Sequence, residues 1–342
     1  MTASAPIEHG GALDRAIARH GGAPEDWLDL STGINPHAYP ALAISARAWR
    51  TLPVDADLAR LLAVATQAYS VPGHMEIVAA PGAQALIGLL PRLVPGETAT
   101  IIAPPEGTYG EFAHCCAIAG RNIRVAGRCA TVAGDEQLAF LARPNNPDGS
   151  IAAREEVFAL CSRLLPQGGV LVVDESFCDA TPEESLVANA PGNLLVLRSF
   201  GKFFGLAGLR LGFAIGTPDL VRRISLALGP WAVSGPAIEI GSVALVDEKW
   251  VSQMRERLRR ESAELADLLG DAGLNISGSN PLFVLARHPS AIVLAEALAR
   301  RHVLVRSFAD RPDLIRLGLP AGEAARQQLK QALAAAMDEF DG

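Results

Sequence analysis

The feature that most constrains this chain is an alternation of short apolar runs with segments of helical spacing. The runs are rich in Val, Ile and Leu and bounded by Gly, Pro or Asp: 76–80, 98–103, 137–142, 169–174, 193–198 and 211–216. Runs that are apolar on both faces suit strands covered by helices on both sides. Helical spacing appears between them, at 83–93, 154–165 and 218–228. The alternation predicts an α/β fold with a doubly wound, mostly parallel sheet.

The length of 342 residues leaves room for a second, smaller domain. We predict a large domain over 52–235, preceded by an N-terminal segment over 1–51. The later part of 236–269 has the pattern of an amphipathic helix, which would link the two domains. The rest of 236–342 is predicted to form a small C-terminal α/β domain with the order strand, helix, strand, strand and helix over 281–340.

Charge and composition argue against several classes of partner. The formal net charge is −7 at pH 7, whereas a protein that binds duplex nucleic acid normally has a basic face. We find no signal-peptide pattern and no run of about 18 apolar residues, which predicts a cytoplasmic protein that does not enter a membrane. The five cysteines lack C-x-x-C spacing and the seven histidines are scattered, so we expect neither disulfides nor a metal site.

Lysine is scarce in this chain, since only Lys202, Lys249 and Lys330 stand among 30 basic residues. The other two lysines have polar neighbours and are expected to be solvated. Lys202 directly follows a predicted strand, in a segment over 199–212 that contains no Asp or Glu. A desolvated amine has a lowered pKa and can attack a carbonyl. A lysine that merely extends from a glycine-rich turn is an equally good interpretation of this segment alone.

Four further elements together match the requirements of pyridoxal phosphate. The segment 82–84 follows a strand and begins a helix, so its backbone N–H groups could bind a phosphate. Asp174 ends a buried strand and could pair with a pyridine nitrogen, Asn146 could donate to a ring hydroxyl, and Tyr109 could stack on a ring. Each element also has an ordinary interpretation: a turn, a helix cap or simple packing.

In order and spacing these elements, with Ser199-x-x-Lys202 and Arg210, resemble the fold type I pyridoxal phosphate enzymes, the aspartate aminotransferase superfamily. The resemblance implies that Lys202 forms the internal aldimine, that Asp174 binds the pyridine nitrogen and that Asn146 binds the ring hydroxyl. Tyr109 and Ser176 would cover opposite faces of the ring. The remaining cofactor-binding residues would surround the phosphate: Gly82, Ala83, Gln84, Ser199 and Arg210.

Within that superfamily, the chain resembles the branch of histidinol-phosphate aminotransferase and threonine-phosphate decarboxylase. Three features favour the decarboxylases: the N-terminal segments 9–11 and 30–36, Phe177 where the aminotransferases have Tyr, and the surroundings of Arg306 and Arg316. The resemblance implies that Arg316 binds an α-carboxylate. It assigns the substrate phosphate to Arg306, His9 and Gly10, and it includes Asn35 in the N-terminal substrate segment. Two guanidinium groups also suit a small amino acid with two separate anionic groups.

The activity that the resemblance implies is decarboxylation of L-threonine phosphate to aminopropanol phosphate, for the side chain of corrinoids such as cobalamin. It implies an external aldimine, a quinonoid and a homodimer. One alternative is an aminotransferase acting on histidinol phosphate or a similar anionic amino acid. Another is a non-catalytic binding protein, which is disfavoured because Lys202, Asp174 and Arg210 are all present. In one departure, the tyrosine that the branch usually has near 52–55, to reach the neighbouring subunit's phosphate, is missing.

Overall fold

The structure is a computed structural model that describes residues 9–40 and 43–341. Residues 1–8 and 41–42 of the predicted N-terminal segment lie outside the described residues, as does residue 342.

The helices are α1 (Leu13–His20), α2 (Ala46–Arg50), α3 (Asp55–Ala68), α4 (Ala83–Leu93), α5 (Glu111–Ile118), α6 (Arg154–Leu164), α7 (Phe200–Phe203), α8 (Pro218–Leu228), α9 (Gly235–Ala244), α10 (Glu248–Asp271), α11 (Ala291–Ala299) and α12 (Gly322–Asp341). The strands are β1 (Leu28–Asp29), β2 (Glu76–Ala80), β3 (Thr98–Ile102), β4 (Asn122–Ala126), β5 (Leu138–Ala142), β6 (Val170–Asp174), β7 (Leu194–Ser199), β8 (Gly212–Gly216), β9 (Asn275–Asn280), β10 (Phe283–Arg287), β11 (Val303–Leu304), β12 (Arg306–Phe308) and β13 (Arg311–Gly318).

The internal contacts divide the described chain into two compact units. The sheet unit comprises 38–146 and 150–253, and the terminal unit comprises the described residues of 1–37, 147–149 and 254–342. The later division falls inside α10, between Gln253 and Met254. The predicted large domain over 52–235 lies within the outer limits of the sheet unit, which extends further along the chain on both sides.

The sheet unit is built on a seven-stranded sheet in the order β2-β8-β7-β6-β5-β3-β4. Strands β3 to β7 pair in parallel, while β8 is antiparallel to both of its neighbours. The α/β prediction is therefore confirmed, and all six predicted strands are present to within one residue at each end. The seventh strand, β4, was not predicted because it is an edge strand with mostly exposed residues and no run that is apolar on both faces.

The ends of the sheet strands determine what meets at one edge. Asp174 pairs with Ala142 on one side and with Leu197 on the other. Ser199, the last residue of β7, pairs with Gly212, which in turn pairs with Ala80 at the end of β2. The residues that follow β2, β6 and β7 therefore emerge at the same edge of the sheet, where open α/β sheets bind ligands.

The terminal unit contains an antiparallel sheet in the order β12-β13-β10-β9 and a parallel pair, β1 and β11. Helix α11 packs against β13 and α12. The predicted order over 281–340 is present, with the strand that follows α11 interrupted at Val305 into β11 and β12. Strand β9 was not predicted, because its sequence Asn-Ile-Ser-Gly-Ser-Asn is mostly polar. Among the described residues, no helix has a stretch of 18 residues apolar enough to cross a membrane.

Two arginine side chains from other parts of the sheet unit donate hydrogen bonds to carbonyl groups at the C-terminal end of helix α4. Arg121 is buried, and it donates from Nε to the Pro91 carbonyl at 2.7 Å and from Nη2 to the Val94 carbonyl. Arg223 donates to the Leu93 carbonyl. These bonds satisfy carbonyls that have no partner within a helix end, and they place positive charge at the negative end of the helix dipole.

We predict that Arg121→Met lowers the midpoint of thermal unfolding. It leaves buried carbonyl groups without donors, at a cost of about 1–3 kcal/mol each. Arg222→Met is the matched control, because Arg222 is exposed and forms an i,i+3 pair with Asp219 on the surface. Equal midpoints for the two variants in differential scanning calorimetry would show that the carbonyls at the end of α4 do not need Arg121.

Candidate active site

A cradle for an anion forms where β2 leads into α4. Gly82 precedes the helix with φ of 89°, which favours glycine, and a Cβ placed on it would lie 2.8 Å from Nη2 of Arg210. A Cβ on Gly212 would lie 2.6 Å from the backbone nitrogen of Ala83. The two glycines thus let β8, Arg210 and the start of α4 approach closely. Helix N–H groups beside a guanidinium form a binding site for a phosphate.

Asp174 ends β6 at the same edge of the sheet, and its side chain is buried. Its Oδ1 accepts hydrogen bonds from the backbone nitrogen of Ser176 at 3.0 Å and from the Ser176 hydroxyl. Burial raises the pKa of the Asp174 carboxyl, while the bonds from Ser176 and the charge of Lys202 act in the opposite direction. A carboxylate whose charged form is destabilised by burial is well suited to pair with a cationic ring nitrogen. The predicted contact of Ser176 with the ring face stays a prediction.

Lys202 lies in the short helix α7, and its side chain is partly buried. Its Nζ lies 5.6 Å from the centroid of the Phe177 ring, and Phe177 is itself buried. The carboxylate that its own segment lacks is supplied from β6, since Asp174 is close enough for the two charges to interact. Only the folding of two strands into one sheet brings these residues together.

Tyr109 is held near the same edge by two contacts. Its hydroxyl donates to Oε1 of Gln84 at 2.9 Å, and its ring packs edge-on against Phe112 with centroids 5.6 Å apart. Burial raises the pKa of the Tyr109 phenol, the charge of Asp174 raises it further, and the charge of Arg210 lowers it. Tyr109 therefore lies within electrostatic reach of both Asp174 and Arg210.

Asn145 is a supporting residue that the sequence reasoning missed. Its buried side chain accepts from Oγ1 of Thr108 at 2.7 Å and donates to the carbonyl of Gly107 at 3.0 Å. It thereby fixes the loop that carries Tyr109. The next residue, Asn146, is partly buried, and its bond to a ring hydroxyl stays a prediction. The signal that could have revealed Asn145 is the pair of asparagines, because a turn needs only one.

A buried ionic cluster supports the turn after Asp174. Arg198 in β7 donates to Oε2 of Glu175 at 2.7 Å and also to Asp179, and all three side chains are buried. Glu175 also accepts from the backbone nitrogen of Leu186 at 2.7 Å. Burial alone would lower the pKa of Arg198, but its anionic neighbours, led by Asp179, raise it well above the ordinary value. The signal for this cluster was an arginine inside an otherwise apolar strand, since buried charges need partners.

In the terminal unit, Arg306 on β12 pairs directly with Arg316 on β13. Arg316 is buried and donates from Nη2 to the carbonyl of Ser31 at 2.9 Å. Burial and the nearby charge of Arg306 lower the pKa of Arg316 to about 10, which leaves it protonated at neutral pH. Like charges on directly paired strand positions are unfavourable, and an anion bound beside them would relieve the repulsion.

The N-terminal glycines reach the same part of the terminal unit. A Cβ on Gly10 would lie 2.2 Å from the Ser31 carbonyl, the group to which Arg316 donates. The backbone nitrogen of Gly11 donates to Oγ of Ser31 at 2.7 Å. The structure therefore brings Gly10 and Arg316 together through Ser31. His9 is exposed, Asn35 is buried and accepts from the backbone nitrogen of His37 at 2.8 Å, and their substrate contacts stay predictions.

Comparison with known protein families identifies the family to which this chain belongs. The family described as aminotransferase class I and II matches residues 53–335. The chain belongs to this family. It is 41% identical to threonine-phosphate decarboxylase from Sinorhizobium sp, over 97% of this chain and 98% of that one. It is 42% identical to threonine-phosphate decarboxylase from Pseudomonas aeruginosa, over 96% of this chain and 97% of that one.

The fold of this aminotransferase class I and II member is also similar to a solved structure. Histidinol-phosphate aminotransferase from Sinorhizobium meliloti, in complex with pyridoxal-5'-phosphate, superposes with a TM-score of 0.82. The match covers 98% of this chain and 96% of that one, at 22% identity. At that identity the match shows a shared fold.

The residues of this family member fit pyridoxal phosphate in three respects. Gly82 and Gly212 have no Cβ, which lets Arg210 and the start of α4 approach each other closely and sets a cation beside the first N–H groups of the helix. Asp174 is a buried carboxyl that a cationic ring nitrogen would stabilise. Lys202 supplies a partly buried primary amine within electrostatic reach of Asp174. All of these residues belong to the sheet unit.

We predict that Lys202→Ala abolishes the covalent labelling of this chain by pyridoxal phosphate and borohydride. Labelling requires an amine held at the cofactor aldehyde, and peptide mass spectrometry would locate it. The chain offers matched controls, because Lys249 and Lys330 are both exposed. Lys249→Ala and Lys330→Ala should therefore be labelled like the parent. Stoichiometric label on Lys249 or Lys330 in the parent would contradict the assignment.

Proposed function

We propose that this chain is a pyridoxal phosphate-dependent decarboxylase that converts L-threonine phosphate to aminopropanol phosphate and carbon dioxide. The observation that carries the proposal is the pairing of Arg306 with Arg316, two guanidinium groups on neighbouring strands. A substrate with a carboxylate and a phosphate matches such a pair, since arginine binds both groups through two parallel hydrogen bonds. The decarboxylases that are 41% and 42% identical over nearly the whole chain support the same activity.

The sheet unit holds the cofactor in this proposal. Bound pyridoxal phosphate supplies an aldehyde that couples to amines and a ring that withdraws electrons. The N–H groups at the start of α4 bind its phosphate together with Gln84, Ser199 and Arg210. Asp174 holds a proton on the ring nitrogen, because its buried carboxylate is stabilised by a cation. Asn146 donates to the ring hydroxyl, and Tyr109 and Ser176 cover the ring faces.

The terminal unit binds the two anionic groups of the substrate. Arg316 holds the α-carboxylate, and its hydrogen bond to the Ser31 carbonyl fixes one edge of the guanidinium. Arg306 binds the substrate phosphate with His9 and Gly10, and Asn35 belongs to the same binding segment. Arg316 stays charged below its pKa of about 10, so it remains a cation at physiological pH.

The fate of the proton on the reacting carbon distinguishes decarboxylation from transamination. Decarboxylation replaces the carboxylate with a proton on the same carbon, and Lys202 is the amine that delivers this proton from Nζ. Transamination would instead remove the proton from that carbon. How the two anion sites orient the substrate decides which bond breaks. Phe177 brings no hydroxyl group next to Lys202, so the ring hydroxyl lacks the hydrogen bond that a tyrosine at this position would supply.

The proposal includes a homodimer in the cytoplasm. Exposed apolar side chains of the sheet unit provide surface for a second copy: Trp49, Leu52, Val54, Leu226 and Trp231.

The state of the cysteines supports the cytoplasm. The five cysteines are free thiols, and four of them are buried, which suits a reducing compartment.

A product assay tests the function directly. We expect the protein with pyridoxal phosphate to release carbon dioxide and aminopropanol phosphate in equal amounts from threonine phosphate. Threonine and histidinol phosphate should react far more slowly. Addition of 2-oxoglutarate should yield no glutamate. Formation of glutamate and a keto acid without carbon dioxide would instead identify an aminotransferase.

We predict that Arg306→Gln lowers kcat/KM for threonine phosphate about tenfold or more, because a hydrogen bond between charged groups contributes about 1.5–3 kcal/mol. The same variant should change kcat/KM for unphosphorylated threonine far less. Arg316→Gln should lower both values, since both substrates carry the α-carboxylate. Arg300→Gln is the control, because Arg300 pairs with Glu339 on the surface. If Arg306→Gln affected both substrates equally, Arg306 would not be the phosphate ligand.

A further inference from the structure

Glu111 is a buried carboxylate that the proposed function does not use. It is the first residue of α5, and only 9% of its surface is exposed. Its Oε2 accepts a hydrogen bond from Nε2 of Gln84 at 2.7 Å, and the thiol of Cys115 lies 3.7 Å from the same oxygen. A negative charge at this position is also favoured by the N-terminal end of the helix dipole.

The bond to Glu111 determines which way the Gln84 amide faces. A carboxylate can only accept hydrogen bonds, so the amide nitrogen must point toward Glu111. The amide oxygen then points toward Tyr109, whose hydroxyl lies 2.9 Å away. A phenol can donate or accept, but opposite an amide oxygen it must donate. The three side chains therefore form a hydrogen-bond chain with a single direction, from Tyr109 through Gln84 to Glu111.

The geometry points to Glu111 as a positioning residue, which fixes the ring of Tyr109 against the cofactor by orienting Gln84. This inference rests on the proposed function, in which Tyr109 covers one face of the cofactor ring. Tyr109 is held at its hydroxyl by Gln84 and along its ring by Phe112. Without the carboxylate, the Gln84 amide can rotate, and its nitrogen then meets the phenol oxygen instead. The phenol could then either donate to the amide oxygen or accept from the amide nitrogen, so the Tyr109 ring would no longer be held in a single orientation before the cofactor binds, and preorganisation contributes to affinity.

The charge of Glu111 also makes a smaller contribution to the pKa of the Tyr109 phenol. Burial raises the pKa of Tyr109 most, and the charges of Asp174 and Glu111 raise it further. The hydroxyl thus remains protonated over the whole working range of pH. This electrostatic effect and the hydrogen-bond direction act in the same sense.

A double-mutant cycle tests the inference on the full chain, with pyridoxal phosphate itself as the probe. Apoprotein is titrated with the cofactor, and the visible absorption of the bound form gives the dissociation constant. We expect Glu111→Leu to raise this constant about fivefold to tenfold in the parent but less than twofold in a Tyr109→Phe background, because contacting residues couple and independent ones add. Glu111→Gln should fall between parent and Glu111→Leu, since a glutamine oxygen can still accept from Gln84.

Glu136→Gln serves as the matched control for loss of a buried carboxylate. Glu136 is 1% exposed and accepts from Oγ1 of Thr100 at 2.9 Å, near the amino-terminal end of β5 and away from the proposed cofactor edge. We expect it to lower the thermal midpoint without changing cofactor affinity.

Equal effects of Glu111→Leu in both backgrounds would overturn the positioning role and leave Glu111 a purely structural residue. The same cycle run with Glu111→Gln gives the answer if the leucine variant does not fold. A parent protein that binds no pyridoxal phosphate would overturn the proposed function, and this inference with it. The two failures are therefore distinguishable in one experiment.

Discussion

The burial of the Asp174 carboxylate at the end of β6 is the constraint on which the proposed cofactor site depends. A buried charge is costly unless hydrogen bonds and opposite charges compensate it. Ser176 donates two hydrogen bonds to it, and Lys202 contributes a positive charge from the neighbouring segment. The turn that carries Ser176 is in turn held by Glu175 and Arg198. A bound cationic ring nitrogen would supply the remaining compensation.

The terminal unit contains the opposite situation. Arg306 and Arg316 occupy directly paired strand positions, and the buried member of the pair has a depressed pKa. One unit therefore presents a buried carboxylate that a cation would stabilise, and the other presents two adjacent guanidinium groups that anions would stabilise. Charged groups that the fold destabilises in this way are typical of functional sites, because stability is lost there in exchange for binding.

The positions of residues within strands explain how much of this could be predicted. The sheet strands were predictable because a run apolar on both faces is a strong local signal, and Asp174, Ser199 and Gly82 could be placed at strand ends for the same reason. Strands β4 and β9 were not, since an edge strand and a polar strand carry no such signal. Asn145, Arg198 and Glu111 were missed as supporting residues. Their roles depend on partners that are distant in the chain: Asn145 is 37 residues from Thr108, Arg198 is 23 residues from Glu175, and Glu111 is 27 residues from Gln84.

The sequence by itself determined the α/β class, the strand ends that carry the proposed cofactor residues and the identity of the one lysine in an apolar, glycine-rich segment. These features are local, because hydrophobic periodicity and residue type follow from a few neighbours along the chain. Only the tertiary structure decided which carboxylate lies near Lys202, which side chains fix Tyr109 and that Arg306 pairs with Arg316. Those relations depend on strand order and register, which arise from packing the whole sheet and cannot be read from any single segment.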